Sequence, residues 1–267
     1  MRRTITGFSH PTVKFLRSLR EKKHRKQERR FLAEGLRLLT EARDAGRLPE
    51  ILVMATTRQA HALLDALEAD VGAAGGEILE MDEAILAKVT GKDNPQSVCG
   101  VFAEFETSLA VIDRSAAPIW LVAQAMRDPG NLGTLLRTGD AVGAGGLILL
   151  DDCADPFSVE AVRASMGAIF TQRLARARWE EFIGWLRQGE GQLVGASLRD
   201  AQPYRDAPYA APCFIMVGNE SRGLPHDYED ACDLRVTIPM LGRADSLNAA
   251  VAAAVLAYEV RARLERG

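Results

Sequence analysis

Apolar segments of strand length alternate with helical patterns over residues 118–267, and this alternation restricts the fold more than any other feature. The predicted strands are Ile119–Ala123, Gly146–Leu150, Gln172–Ala175, Leu193–Ala196, Phe214–Gly218 and Leu234–Ile238. Strands that alternate with helices form a mostly parallel sheet, because each helical crossover returns the chain to the same end of the sheet. We therefore predict an α/β domain with helices on both faces of its sheet.

Three of these strands run into polar loops. The first loop begins the segment Asp128–Thr138, the second lies within Phe214–Leu224, and the third lies within Val236–Asn248. In open α/β sheets, ligands bind in the crevice at the carboxyl ends of the strands. The three loops are therefore predicted to form one composite pocket.

Helix-capping residues are also predicted for two of these segments. Asn131 is suited to cap the helix that carries Leu132, Leu135 and Leu136 on its apolar face. Ser246 is predicted as the N-cap of the alanine-rich helix Ala249–Tyr258.

The segments DPGNLGTLLRT, VGNESRGL and IPMLGRADSLNAAVA resemble, in this order, the three signature motifs of the SpoU (TrmH-type) RNA ribose 2′-O-methyltransferases of the SPOUT superfamily. The resemblance implies a trefoil-knotted SPOUT domain, S-adenosyl-L-methionine as cofactor, an RNA substrate and a homodimer. It implies transfer of a methyl group to a ribose hydroxyl, for which no metal is required.

The resemblance also assigns functions to individual residues. The predicted catalytic residues are Asn131, Arg137, Glu220, Ser246 and Asn248. The predicted cofactor-binding residues are Gly218, Asn219, Ile238, Met240, Ser246 and Leu247. A guanidinium group stays protonated at neutral pH, so we expect Arg137 to hold the phosphate beside the target ribose while Ser246 or that phosphate accepts the proton. The alternative is that Arg137 only forms an ion pair with Glu220 or Asp140.

The first thirty residues are strongly basic, although the formal net charge of the whole chain is −3. Their cationic residues are Arg2, Arg3, Lys14, Arg17, Arg20, Lys22, Lys23, Arg25, Lys26, Arg29 and Arg30, against Glu21 and Glu28 alone. A solvated helical face is one reading. A run of one sign repels itself and fits a polyanion better. We therefore predict RNA contacts from Arg17, Lys22, Lys23, Arg25, Lys26, Arg29 and Arg30.

Residues 1–105 are predicted to form a small α/β RNA-binding domain, joined by a linker at 106–117 to the SPOUT domain at 118–267. Residues 31–42 carry apolar side chains at near-helical spacing. The further predicted elements are strands at Glu50–Met54, Glu77–Met81 and Ser97–Phe105 and helices at Thr57–Asp70 and Asp82–Val89. FLAEGLRLLTEA and NPQSVCGVFA resemble the amino-terminal substrate-binding domain of SpoU enzymes.

Other patterns restrict the class of protein. No apolar run reaches the roughly 20 residues of a membrane span, and the amino terminus has no signal-peptide core, so a cytoplasmic protein is expected. The four cysteines are far apart in sequence and without a histidine at ligand spacing, which predicts reduced thiols and no metal site. His226 and the other three histidines lie outside the motifs and are not expected to be catalytic.

Three functional interpretations remain. The first is a ribose 2′-O-methyltransferase, with ribosomal RNA favoured over transfer RNA because of the extra amino-terminal domain and the segment Arg163–Phe170. The second is a non-enzymatic RNA-binding or ribosome-assembly protein with the same fold. The third, an unrelated nucleotide-cofactor enzyme, is disfavoured because the chain has neither GxxxxGK[ST] nor GxGxxG after a strand.

Overall fold

The computed structural model describes residues 2–266. They divide into two compact units. The N-terminal unit comprises the residues up to Phe105 together with Asp155–Thr171. The C-terminal unit comprises Glu106–Ala154 and the residues from Gln172 onward.

Strands and helices are numbered along the described chain. The strands are β1 Arg2–Ile5, β2 Arg30–Glu34, β3 Ile51–Ala55, β4 Glu77–Met81, β5 Val98–Ala103, β6 Ile119–Gln124, β7 Gly146–Leu150, β8 Arg173–Ala177, β9 Gln192–Ala196, β10 Gln202–Pro203, β11 Cys213–Val217 and β12 Leu234–Thr237. The helices are α1 Pro11–Ser18, α2 Lys22–Glu28, α3 Leu36–Asp44, α4 Ala62–Ala73, α5 Glu83–Thr90, α6 Pro129–Val142, α7 Val159–Ala164, α8 Ala168–Thr171, α9 Trp179–Arg187, α10 His226–Asp230 and α11 Ala249–Leu264.

The N-terminal unit is built on a five-stranded mixed sheet in the order β1-β4-β3-β5-β2. Strands β1, β4 and β3 are parallel, whereas β5 is antiparallel to both β3 and β2. Five phenylalanines stack within this unit: Phe31, Phe102, Phe105, Phe157 and Phe170. Residues 155–171 therefore complete the core of the N-terminal unit.

The helical spacing predicted for residues 31–42 is wrong over its first third. Residues 30–34 form β2, which pairs along its length with β5, and helix α3 begins only at Leu36. Gly35, with φ of +102°, allows the sharp change of direction between the two elements. Apolar side chains in β2 are buried on both faces of the sheet, so their spacing did not show the alternation of a half-exposed strand.

The predicted parallel α/β architecture is confirmed in the C-terminal unit. Its seven strands have the order β10-β12-β9-β11-β6-β7-β8, and every neighbouring pair is parallel. Strands β6, β7 and β11 are buried along their whole length. Helices α6 and α11 pack against each other, and α11 also contacts β11 and β6.

Two further features concern the cysteines and the apolar character of the helices. All four cysteines are free thiols, as predicted. Across residues 2–266, the helices include none with the length and apolar character needed to cross a membrane.

Candidate active site

The three polar loops extend from the carboxyl ends of β6, β11 and β12. These strands belong to one parallel sheet, in which β11 lies beside β6 and strand β9 lies between β11 and β12. Because parallel strands end at the same edge of a sheet, the loops lie at one edge of the C-terminal unit.

Asp128, and not Asn131, is the N-cap of α6. The Asp128 carboxylate accepts a hydrogen bond from the Asn131 amide nitrogen at 2.7 Å, and Pro129 occupies the first helical position. The predicted cap at Asn131 is therefore wrong. Because Asn131 lies inside the first turn, its side-chain amide can bond to groups outside the helix.

The second loop is held closed by its own residues. A Cβ atom on Gly218 would lie 2.3 Å from the carbonyl carbon of Gly223, so only glycine fits at residue 218. Asn219 Oδ1 accepts from the amides of Ser221 at 3.0 Å and Arg222 at 3.2 Å. Asn219 Nδ2 donates to the Ala125 carbonyl at 2.9 Å, which joins this loop to the end of β6.

Asn248, and not Ser246, is the N-cap of α11. Its Oδ1 accepts from the amides of Ala250 at 2.9 Å and Val251 at 3.3 Å. Ser246 lies two residues earlier in an exposed loop, where its hydroxyl donates to the Asp245 carboxylate at 3.1 Å. The predicted cap at Ser246 is therefore wrong.

One chain of side-chain hydrogen bonds joins the three loops. Asn131 Nδ2 donates to Glu220 Oε1 at 3.1 Å, and Asn248 Nδ2 donates to Asn131 Oδ1 at 2.9 Å. Asn248 uses its remaining oxygen to cap α11, so the chain ends in helix backbone. We call Glu220, Asn131 and Asn248 the amide chain. The structure thus brings together three of the five residues predicted to be catalytic.

Glu220 is the anionic end of the amide chain. Partial burial by itself raises the pKa of Glu220, but hydrogen bonds outweigh this effect and place the pKa below its ordinary value. The donors are its own amide, the Asn131 side chain and the amides of Arg127 and Asp128, the last two at 3.4 and 3.3 Å. Glu220 is therefore a carboxylate at neutral pH and cannot serve as a proton donor there.

Arg137 lies on α6 with its side chain exposed. Among the described residues, no side-chain hydrogen bond or ion pair of Arg137 is present, so its alternative pairing with Glu220 or Asp140 is not seen. An exposed arginine without an intramolecular partner can bind a phosphate with both nitrogens of its planar fork.

A pocket of about 460 Å³ opens between the second and third loops. All six residues predicted to bind the cofactor line it, namely Gly218, Asn219, Ile238, Met240, Ser246 and Leu247. Glu220 lines it as well, whereas Asn131, Arg137 and Asn248 do not. Its volume lies in the range of small-molecule sites, roughly 300–1,000 Å³.

The sequence analysis missed one wall of this pocket. Ala196–Arg199, made of the last residue of β9 and the loop after it, lines the pocket together with His226 and Glu229. Glu229 accepts from the Ser197 hydroxyl at 2.5 Å and contacts His226 Nδ1 and Arg199 Nε, each at 3.0 Å. The only feature of the sequence that pointed to this wall was that the loop follows a predicted strand of the parallel sheet.

The Glu229 carboxylate is buried yet ionised. Burial raises its pKa, but hydrogen bonds from Ser197 and His226 and the charge of Arg199 together bring the pKa below the ordinary value. This wall is therefore a fixed ionic cluster that positions the loop after β9.

The predicted RNA-binding residues of the N-terminal unit fall into three groups. Arg17, Lys22, Lys23 and Lys26 are exposed and form no ion pair with another described residue. Arg29 and Arg30 form the second group, and each pairs with a glutamate. Arg29 lies 3.6 Å from Glu104, and Arg30 lies 2.6 Å from Glu50.

Arg25 is the third group, and it is buried. It is 3% exposed, and its guanidinium donates to Asp155 at 2.7 and 3.0 Å and to the carbonyls of Leu19 and Arg20. The sequence did not show that Arg25 is buried in an ion pair, because its partner Asp155 is 130 residues away. Arg25 is a structural residue of the N-terminal unit.

Comparison with protein families gives two matches. A model described as the SpoU rRNA Methylase family matches residues 118–258. A second model, described as an MRM3-like substrate binding domain, matches residues 10–100.

Individual proteins match along almost the whole chain. The 23S rRNA (guanosine(2553)-2′-O)-methyltransferase RlmP of Bacillus subtilis is 32% identical over 258 residues, covering 96% of this chain and 98% of that protein. The structure of an AdoMet-bound rRNA methyltransferase from Sinorhizobium meliloti is 39% identical, with a TM-score of 0.91 and 98% of each chain covered. AviRb from Streptomyces viridochromogenes, in complex with AdoMet, is 26% identical, with a TM-score of 0.87, covering 97% of this chain and 99% of that one.

Proposed function

The chain belongs to the SpoU rRNA methylase family, as its three motifs predicted, and from this premise we propose that it methylates a ribose 2′-hydroxyl of ribosomal RNA. The observation that carries the proposal is the amide chain, which joins the three family motifs beside one pocket. The family membership also disfavours the unrelated nucleotide-cofactor enzyme.

S-adenosyl-L-methionine is the cofactor, and two solved relatives that carry AdoMet support this. Its sulfonium supplies an electrophilic methyl group. The pocket suits such a group because Leu247, Ile238 and Met240 give apolar contacts while the loop around Gly218 presents backbone. The Gly218–Gly223 approach leaves no room for a side chain where that backbone turns.

The amide chain is proposed to fix the geometry of the reaction. A displacement at carbon needs the attacking oxygen aligned behind the methyl group, and alignment alone accounts for much of a rate enhancement. Asn131 and Asn248 hold the ends of α6 and α11 at a set distance, and Glu220 anchors both through its charge. Asn131, Asn248 and Glu220 are therefore positioning residues.

Arg137 and Ser246 are proposed to act on the RNA. A new bond forms between the ribose oxygen and the methyl carbon, the bond from carbon to sulfur breaks, and the hydroxyl proton leaves. Arg137 is free to clamp the phosphate next to that ribose. The exposed Ser246 hydroxyl, or the phosphate itself, accepts the proton.

Ribosomal RNA is the proposed substrate class because the named relative RlmP acts on 23S rRNA and the N-terminal unit matches a substrate-binding family. Exposed Arg17, Lys22, Lys23 and Lys26 supply phosphate contacts, which position RNA without reading its sequence. Transfer RNA is the alternative substrate.

A homodimer, a trefoil knot and a cytoplasmic location complete the proposal, as the family resemblance implies. Helix α11 supports the homodimer, because Val251 and Tyr258 are 48% and 55% exposed on its first ten residues, which include no charged side chain. Sedimentation of the intact protein tests this point, since a dimer has twice the mass of the 29.1 kDa chain.

Methyl transfer to separated RNA fractions tests the substrate class. Labelled S-adenosyl-L-methionine is incubated with the protein and with unmodified ribosomal or transfer RNA. Label in the ribosomal fraction alone supports the proposal, and label in transfer RNA alone supports the alternative. Folded protein that binds RNA but neither binds the cofactor nor transfers label would be the non-enzymatic RNA-binding protein.

A further inference from the structure

Phe8 is an exposed aromatic side chain on the basic N-terminal unit. Of the nine phenylalanines in the chain, it alone is among the large apolar side chains that are exposed, with 52% of its surface accessible. Burying such a ring is worth roughly 1.5–3 kcal/mol, so an exposed one forgoes that stabilisation. The amide chain, the pocket and the cationic residues of α2 give no reason for its exposure.

Hydrogen bonds fix the backbone on both sides of Phe8. Strand β1 pairs with β4 up to Ile5, and the His10 amide donates to the Gly7 carbonyl at 3.1 Å. His10 Nδ1 in turn accepts from the Thr12 amide at 3.2 Å and caps α1. Phe8 therefore projects from a short connection that is fixed at both ends.

One cation lies beside this ring, and the neighbouring helix carries two more. Lys88 Nζ lies 5.9 Å from the centre of the Phe8 ring, on helix α5, which packs against α1. Helix α1 has no acidic residue and carries Lys14 and Arg17, both exposed. The cation beside Phe8 and the two on α1 suit a polyanionic ligand, whereas an apolar protein partner would leave these charges without a partner.

We propose that Phe8, with Lys88 beside it, is a stacking platform for an unpaired base of the RNA substrate. Bases that are splayed out of a loop or bulge stack on aromatic side chains, while neighbouring cations hold the phosphates. The ring has an exposed surface for the base, and Lys88, Lys14 and Arg17 provide the phosphate contacts. This inference rests on the proposed function and specifies single-stranded nucleotides as one part of what the N-terminal unit binds.

The test compares binding of the intact protein to two probes, a 12-nucleotide unpaired oligoribonucleotide and a 12-base-pair RNA duplex. Stacking of one base is worth enough that Phe8→Ala weakens binding to the unpaired RNA about tenfold or more. Binding to the duplex changes less than about twofold, because duplex recognition uses backbone and shape. Phe8→Trp retains the affinity and Phe8→Leu loses it, which separates stacking from apolar contact.

Leu63→Ala is the matched control, because Leu63 is an exposed apolar residue of the same unit, 44% accessible, on α4. It leaves both affinities unchanged. Cofactor binding and the salt dependence of RNA binding are measured on every variant, and Phe8→Ala leaves both unchanged since it removes no charge. Equal losses on both probes, or wild-type affinity in Phe8→Ala, would overturn the platform. Failure of wild-type protein to transfer methyl groups would instead count against the proposed function.

Discussion

At the residue scale, Asn131 is the link on which the site depends. Its side chain both donates to Glu220 and accepts from Asn248, so it uses the donor and the acceptor of one amide. No other residue type of similar size offers both groups in a fixed plane. The sequence suggested a helix cap here, and Asp128 fills that role instead.

Asn131→Ala should lower the kcat/KM of methyl transfer roughly tenfold or more, because it removes two hydrogen bonds worth about 0.5–1.5 kcal/mol each. Thr134→Ala is the matched control on the same helix, since the Thr134 hydroxyl bonds only to the Gly130 carbonyl. Steady-state kinetics on both variants checks this. Equal effects of the two substitutions would contradict a special role for Asn131.

Arg137→Ala should keep the wild-type affinity for S-adenosyl-L-methionine and lose methyl transfer, because Arg137 is assigned to the RNA phosphate and lies outside the pocket lining. Calorimetric titration measures the first quantity and single-turnover transfer the second. Arg127→Ala serves as control, since that exposed arginine pairs with Asp152. Loss of cofactor binding with RNA binding intact would refute the assignment.

At the element scale, local patterns located most elements but not their long-range partners. Strands β4 and β7 were predicted with the correct ends, because each is a short segment with several apolar residues that follows a glycine and ends before an aspartate. Strand β1 was not predicted, since Arg2 and Arg3 read as part of a charge run while they actually pair with glutamates on α4 and β4. The wall after β9 escaped prediction for a similar reason: only the fold brings it beside β12 and α10.

The structure also decides which experiment tests RNA binding by the exposed cations of the N-terminal unit. Removing residues 1–30 would delete β1 together with buried Val13, Leu16 and Leu19, so it would damage the core of the N-terminal unit. A substitution on the exposed face of α2 avoids this damage.

The triple variant Lys22→Ala, Lys23→Ala, Lys26→Ala should weaken RNA binding and reduce its salt dependence, because each lost phosphate contact removes about 0.7–0.9 from the slope of log K against log salt. Cofactor affinity should not change. The corresponding triple arginine variant keeps the charge and should keep the slope. If the slope of log K against log salt were the same in the wild type and the alanine variant, these lysines would be exposed to solvent without contacting RNA.

Arg25→Ala should destabilise the N-terminal unit by about 3–5 kcal/mol, because it removes the positive charge that pairs with the buried Asp155 carboxylate. Arg43→Ala, which removes a partly exposed pair with Asp70, should cost about 1 kcal/mol or less. Denaturant unfolding measures both. A small effect of Arg25→Ala would mean that this pair does not hold residues 155–171 in the unit.

At the scale of the whole molecule, the C-terminal unit contains the proposed reaction site, and the N-terminal unit contains the exposed cations Arg17, Lys22, Lys23 and Lys26. All six residues to which the family resemblance assigns cofactor binding line one pocket, and their binding of the cofactor stays a prediction. The resemblance could not give the amide chain, because hydrogen bonds between residues about 90 and 117 positions apart depend on how the strands are ordered.

Acid should open the pocket loops. The pKa values of Glu220 and Glu229 are lowered by folding, so each carboxylate stabilises the folded loops above its unfolded-state pKa, about 4.3. That contribution is lost as the pH falls through the lower folded-state values. The melting temperatures of wild type and of each single variant, Glu220→Gln or Glu229→Gln, should therefore differ by a constant amount near neutral pH. In acid, these melting temperatures should converge. A difference that grows in acid would contradict this.

The atom that receives the methyl group shows whether the protein methylates a ribose or a base. Ribosomal RNA labelled by the protein from S-adenosyl-L-methionine is digested to nucleosides, and mass spectrometry of the labelled nucleoside distinguishes a methylated ribose from a methylated base. We predict a single 2′-O-methylated nucleoside, absent when Arg137→Ala protein is used. A label on the base, or an equal yield from the Arg137→Ala protein, would contradict a site in which this arginine holds the ribose 2′-hydroxyl in line with the cofactor.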